Sequence, residues 1–162
     1  MLYLAMLLTV GGAVALDQVT KYLTVQNIPL HGYVEAIPGL FHLTYIRNTG
    51  AAFGMLEGGR TLFLMITVLA LVAAVLSVRK KWIDHPLGLW AVALICGGAV
   101  GNLIDRFLYG SVVDMIELDF MNFAIFNVAD CFISVGAVLL IIWALFFDRK
   151  KEKKEPTDES PA

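Results

Sequence analysis

Four apolar blocks, each long enough to cross a lipid bilayer, leave this chain few alternatives to a bundle of membrane-spanning helices. They run from Met1 to Leu16 and on past Asp17 to Leu23, from Thr61 to Val78, from Leu87 to Ile104 and from Val128 to Phe147. A helix needs about 20 apolar residues to span about 30 Å of hydrocarbon. The 162 residues would also suffice for one modest soluble domain, but only 16% are charged, against roughly 25% in soluble domains. The expected fold is therefore an all-α polytopic membrane protein with four transmembrane helices, at about 3–24, 61–79, 86–106 and 128–147. Residues 1–147 are read as a single transmembrane domain and 148–162 as a disordered, polar cytoplasmic tail. The first block lacks the basic start and small-residue cleavage pattern of a signal peptide, and three more spans follow it, so it is read as a retained helix.

The charges orient the bundle. Arg79, Lys80 and Lys81 lie between the second and third spans, and Arg149, Lys150, Lys151, Lys153 and Lys154 follow the fourth. Basic residues collect on the cytoplasmic side, so that loop and the C-terminus are expected inside, and with an even number of spans the N-terminus as well. Two segments then face outward, from about Thr24 to Arg60 and from about Phe107 to Asn127. The first contains "YVEAIPGLFHLTYI", two runs of β-branched and aromatic residues around Pro38-Gly39, the pattern of a small hairpin or sheet.

With this orientation the strongly polar residues of the spans gather at one depth, the outer face. Asp17 and Lys21 sit toward the outer end of the first span, Asn102, Asp105 and Arg106 at that of the third, Asn127 and Asp130 at the start of the fourth. Asp114 lies in the outer segment between them. Singly, each has a plain explanation. Asp17 and Lys21 are spaced i,i+4 and can pair on one helix face; Arg106 can extend to the headgroups; Asn127 and Asp130 suit a helix start. Together they are harder to dismiss, because ionisable groups at membrane depth are expensive and usually functional. "RNTGAAFG", Arg47 to Gly54, adds a run of small residues that permits close backbone approach, as in a loop lying against a substrate.

Asp114 and Asp130 are the candidates for a working pair. Two carboxylates a few ångströms apart share a proton. The ionised member can activate water, and the protonated one can polarise a peptide carbonyl and then protonate the leaving nitrogen. Asp105 is not expected in the pair, because its face is turned about 100° from that of Arg106. His31, His42 and His85 are scattered, so neither a metal nor another cofactor is expected, and no basic patch suggests nucleic acid. Cys96 and Cys131 lack metal-type spacing and read as packing residues. Two other classes compete: a proton-coupled channel or transporter, against which the missing polar stripe through all depths counts, and a non-catalytic membrane protein that binds its partner and leaves it intact.

"DQVTKYL", "RNTGAAFG", "GGAVGNLIDR", "GSVVDMI" and "FNVADCF" occur in this order. In that arrangement the chain resembles the lipoprotein signal peptidase family (signal peptidase II) of bacterial cytoplasmic membranes, over nearly its whole length except the tail. The resemblance implies an aspartic endopeptidase that removes signal peptides from prolipoproteins, cutting just before a cysteine carrying diacylglycerol. It implies Asp114 and Asp130 as the catalytic dyad. Asn48, Gly50, Asn102, Arg106, Asn127, Asp17 and Lys21 are carried over as substrate-binding or positioning residues, with Asn48 and Arg106 nearest the substrate backbone. It also implies a small β-cradle on the outer face, lipid-modified prolipoproteins and membrane lipids as partners, and a monomer. Cys131 stands where many relatives are expected to carry a small residue such as serine.

Overall fold

The structure is a computed structural model and describes residues 1–50 and 59–147. Its helices are α1 (Leu2–Asn27), α2 (Arg60–Arg79), α3 (Pro86–Tyr109) and α4 (Val128–Phe146); its strands are β1 (Tyr33–Ile37), β2 (Phe41–Asn48) and β3 (Val112–Leu118). All four helices are long and apolar enough to cross a membrane. Ala51 to Gly54 of the small-residue loop, and the tail from 148 onward, lie outside the described residues.

Local chemistry sets where the elements stop. α1 has 26 residues, about 39 Å at 1.5 Å per residue, longer than the hydrocarbon core, so its C-terminal end reaches the sheet while Lys21 still packs on α3. α3 continues past Arg106 to Tyr109, three residues beyond the sequence expectation. It ends there because Gly110 takes a left-handed conformation, φ 75°, and donates its N–H to the Arg106 carbonyl. α4 starts with a reciprocal cap. Asn127 accepts from the Asp130 N–H at 3.0 Å, and the Asp130 carboxylate accepts from the Asn127 N–H at 3.1 Å.

α3 is the axis of the bundle: α1, α2 and α4 all pack on it. Its small residues make this possible. A methyl on Gly97 would sit 2.6 Å from Cβ of Ala13 in α1, and one on Gly98 would overlap the Ala129 carbonyl oxygen of α4. Backbones can approach this closely only where no side chain intervenes.

The sheet is antiparallel, in the order β1-β2-β3. β1 and β2 form the hairpin expected from the sequence, turning at Gly39 with φ 73°. β3 was not expected, and it comes from the segment between α3 and α4. An irregularity in the β2–β3 pairing separates Leu43↔Ile116 from Ile46↔Asp114. The sheet packs on the end of α1 through Ile28, Tyr45, Val113 and Met115. His42 ties β2 to the end of β3, with Nε2 2.9 Å from Glu117 and Nδ1 2.6 Å from Asp119. Asp119 and Glu117 favour the imidazolium and raise the His42 pKa above its usual value.

Gly98→Ala is expected to lower the melting temperature in detergent, because its methyl meets backbone and the α3–α4 contact must open; overpacking of this kind costs about 1–3 kcal/mol. Gly11→Ala, with open space at its Cβ, is the control and is expected to be neutral or stabilising. Equal melting of the two variants would show that α3 and α4 do not need the small residue.

Candidate active site

Three elements converge to form the site. β3 carries Asp114, the first turn of α4 carries Asp130, and the last turns of α3 carry Asn102 and Arg106. Asn48 and Gly50, at the end of β2 and just beyond it, close a fourth side. These residues and Asn127 line one cavity of about 510 Å³, whose apolar side includes Phe123 and Val135.

Asparagine side chains hold both carboxylates. Asp114 Oδ1 accepts from Asn127 Nδ2 at 2.6 Å, and its Oδ2 accepts from Asn48 Nδ2 at 2.8 Å. Asp130 Oδ1 accepts from Asn102 Nδ2 at 2.8 Å. Asn127 also donates to Asn102 Oδ1 at 3.1 Å. Asn127 therefore bridges the two carboxylates, contacting Asp114 with its side chain and Asp130 with its own backbone N–H. It is fully buried, and Asp114 is only 3% exposed. Burial raises the Asp114 pKa from 3.8 to about 6. Asn48 opposes the rise, the like charge of Asp130 adds to it, and Asn127 opposes it.

Arg106 reaches the cavity from α3. It donates to the Gly50 carbonyl at 3.3 Å and its guanidinium lies 4.9 Å from the centroid of the Phe63 ring. Asn48 Oδ1 accepts from the Gly50 N–H at 2.9 Å. Gly50 is thus held by the two side chains that the family resemblance implies nearest the substrate backbone.

Asp17 and Lys21 stand elsewhere. They are 0% and 3% exposed and do not line the cavity. Lys21 Nζ lies 2.8 Å from Asp17 Oδ2 and 3.1 Å from Asp105 Oδ2, and donates to Asn102 Oδ1 at 2.9 Å. The same two acids reach the site through the backbone. Asp17 Oδ1 accepts the N–H of Ala129, the residue before Asp130, at 2.9 Å. Asp105 Oδ2 accepts the N–H of Val113, the residue before Asp114, at 3.1 Å. Gln18 Nε2 joins them, at 3.0 Å from Asp105 Oδ1 and 3.3 Å from Asp17 Oδ2. Asp105 and Gln18 are the members that sequence reasoning did not assign. Gln18 lies inside the "DQVTKYL" motif and Asp105 inside "GGAVGNLIDR", four residues after the glycine that packs on Asp17, so motif membership was the signal that could have found both.

Among the described residues every buried side-chain nitrogen or oxygen has a hydrogen-bond partner, and no group of three or more His, Cys, Asp or Glu has a metal-binding arrangement. The site therefore has two positioned carboxylates, a set of amide donors and one guanidinium in a half-apolar cavity. Such a set can activate water and polarise a carbonyl.

Comparisons with known proteins agree on one relationship. The family described as "Signal peptidase (SPase) II" matches residues 9–146. The chain is similar to a lipoprotein signal peptidase of Enterococcus faecalis, 47% identical over 144 residues, which is 87% of this chain and 87% of the relative. One of Streptococcus thermophilus is 46% identical over 132 residues, 80% of this chain and 84% of the relative. A solved bacterial membrane enzyme superposes with a TM-score of 0.85 at 37% identity, over 93% of each chain.

Two outcomes follow from the geometry. Asp105→Asn keeps an oxygen for the Val113 N–H but removes one charge from Lys21. It is expected to lose about 1–3 kcal/mol of stability while cleaving peptide well above the level of Asp114→Asn; equal inactivity in a cleavage assay would put Asp105 in the chemistry. The second concerns pH. Raising the Asp114 pKa means that the folded state holds this proton more tightly than the unfolded chain. That stabilisation is fully present below about pH 4 and is lost as pH rises through about 6, a change of about 3 kcal/mol at most. The melting temperature of the wild type is expected to fall across this window relative to Asp114→Asn; parallel curves would contradict the raised pKa.

Proposed function

The chain belongs to the signal peptidase II family of membrane aspartic proteases, and we propose that Asp114 and Asp130 are the dyad with which it removes signal peptides from prolipoproteins. The observation that carries this reading is the bridging of the two carboxylates by Asn127 at the wall of one cavity. The bond cut lies just before the cysteine that carries diacylglycerol.

In the working state the pair holds one proton. The ionised carboxylate takes a proton from water as the water attacks the scissile carbonyl carbon. The protonated carboxylate donates to the carbonyl oxygen as negative charge develops there. Collapse of the tetrahedral intermediate breaks the C–N bond, and the leaving nitrogen receives a proton from the dyad. The proton belongs to the pair, which titrates as a unit. The amides of Asn48, Asn102 and Asn127 keep the carboxylates oriented through this exchange without themselves ionising. Arg106 and Asn48, both in contact with Gly50, are proposed to meet the substrate backbone on either side of the bond. The apolar wall at Phe123 and Val135 suits the acyl chains or the apolar signal helix.

Membrane orientation is part of the same proposal. The termini and the Arg79–Lys81 loop are cytoplasmic, and the dyad lies near the outer face, which suits a substrate whose acyl chains stay in lipid while its protein part leaves. Asp17 and Lys21 act as positioning residues only, through Ala129, Asn102 and Asp105. The protein works as a monomer.

Asp114→Asn and Asp130→Asn are each expected to abolish processing of a lipid-modified prolipoprotein, read by gel mobility, by about 10³-fold or more, with membrane insertion retained. Normal processing by either variant would sink the dyad.

A further inference from the structure

Away from the dyad, a second cavity of about 620 Å³ opens between α1, α2 and α3. α1 and α2 both pack on α3, and α2 buries none of its residues. What remains between them is a slot with α3 as its floor. Its walls are apolar, formed by Leu7 and Val10, Val75 and Val78, and Val92 and Cys96. Its mouth is cationic: Arg79 and Lys81 line one end, beside Tyr3, and no acidic side chain lines the slot.

The backbone at the mouth is unusual. α2 ends in a Schellman turn, with the Trp82 N–H donating to the Ser77 carbonyl at 2.9 Å and the Lys81 N–H to that of Val78 at 3.1 Å. The position occupied by Lys81 in this turn usually belongs to glycine. Lys81 takes the left-handed conformation with φ 54°, which strains any residue with a Cβ. The side chain at this turn carries its charge to the mouth of the slot. Lys80 lies with Nζ 4.9 Å from the Trp82 ring centroid. Asp84 is the one acid between Arg79 and His85, against three bases.

In a bilayer such a slot takes either an acyl chain or an apolar peptide helix, and charge decides between them. The mouth lies at the end of α2 and near the start of α3, whereas the dyad sits by the last turns of α3. A signal peptide with its scissile bond at the dyad directs its basic start toward Arg79, Lys80 and Lys81, which repel it. An anionic headgroup is attracted by the same three residues. The choice against the signal peptide rests on the dyad assignment above.

We propose that this slot binds an anionic phospholipid, one acyl chain lying along α3 and the phosphate between Arg79 and Lys81. The test uses the full chain purified in neutral detergent and offered phosphatidylglycerol and phosphatidylcholine with the same acyl chains, with retained lipid counted by native mass spectrometry. The wild type is expected to retain phosphatidylglycerol about tenfold better. Arg79→Gln with Lys81→Gly is expected to remove that preference, and Val75→Trp, which fills the slot, to reduce retention of both lipids. Cleavage of prolipoprotein by these variants shows that they fold. Lys81→Gly alone relieves the strained turn, is expected to melt no lower than the wild type, and still weakens the preference if the double variant is unstable. Equal retention of the two lipids by the wild type would overturn the proposal. So would a preference that survives the charge variants, which would place it elsewhere on the chain, displacement of the lipid by a signal peptide, or loss of the preference on adding inorganic phosphate at equal concentration. A dead dyad variant that still prefers phosphatidylglycerol supports it, since lipid binding is read independently of catalysis.

Discussion

One buried ammonium holds the polar end of this bundle together. Lys21 Nζ meets Asp17, Asp105 and Asn102, all within 3.1 Å, in a region with almost no solvent exposure. In such surroundings an unpaired charge costs several kcal/mol, so the faces of α1 and α3 that supply these groups are held in one register. The pairing does more than cancel charge. Through the amides of Ala129 and Val113, Asp17 and Asp105 each anchor the residue preceding one of the two proposed dyad aspartates. A single cation therefore connects the supports of both carboxylates, one on a helix and one on a strand.

The layer above that cation is neutral and made of amides. Asn102 accepts from Lys21 and Asn127 and donates to Asp130; Asn127 donates to Asp114. Amides suit this place because each offers both a donor and an acceptor and neither gains nor loses a proton in the working range. They can orient the two carboxylates of the proposed dyad without competing for its proton. Burial of Asp114 at the same point lifts its pKa to about 6, as a pair that retains one proton requires. The strain of housing these groups is relieved by small residues: Gly101 leaves just the space that the Asp17 carboxylate fills, since a methyl there would lie 2.5 Å from Oδ2.

The two ends of α3 have opposite chemistry. Its last turns meet acids, amides and the sheet; its first turns border an apolar slot with a basic rim. The bundle thus separates, along one axis, a cavity suited to the substrate from a slot suited to a membrane lipid.

Much of the architecture was legible in the chain. Four apolar blocks required four spans because backbone and side chains in lipid admit little else. The hairpin was readable from β-branched runs around Pro38-Gly39. The clustering of Asp17, Asn102, Arg106, Asp114, Asn127 and Asp130 at one depth needed only span order and charge. β3 was not readable, because "VVDMIEL" earns its strand conformation by pairing with β2 and packing on α1, neither of which is local. Nor were the roles of Asp17, Lys21 and Asp105 separable. An i,i+4 ion pair looks the same in sequence whether it faces a substrate or a neighbouring helix, and burial alone decides. The sequence by itself determined a membrane bundle with its polar groups gathered at one end. Only the tertiary structure decided which of those groups reach the cavity and which hold the others in place, because that depends on how closely glycine lets the helices approach.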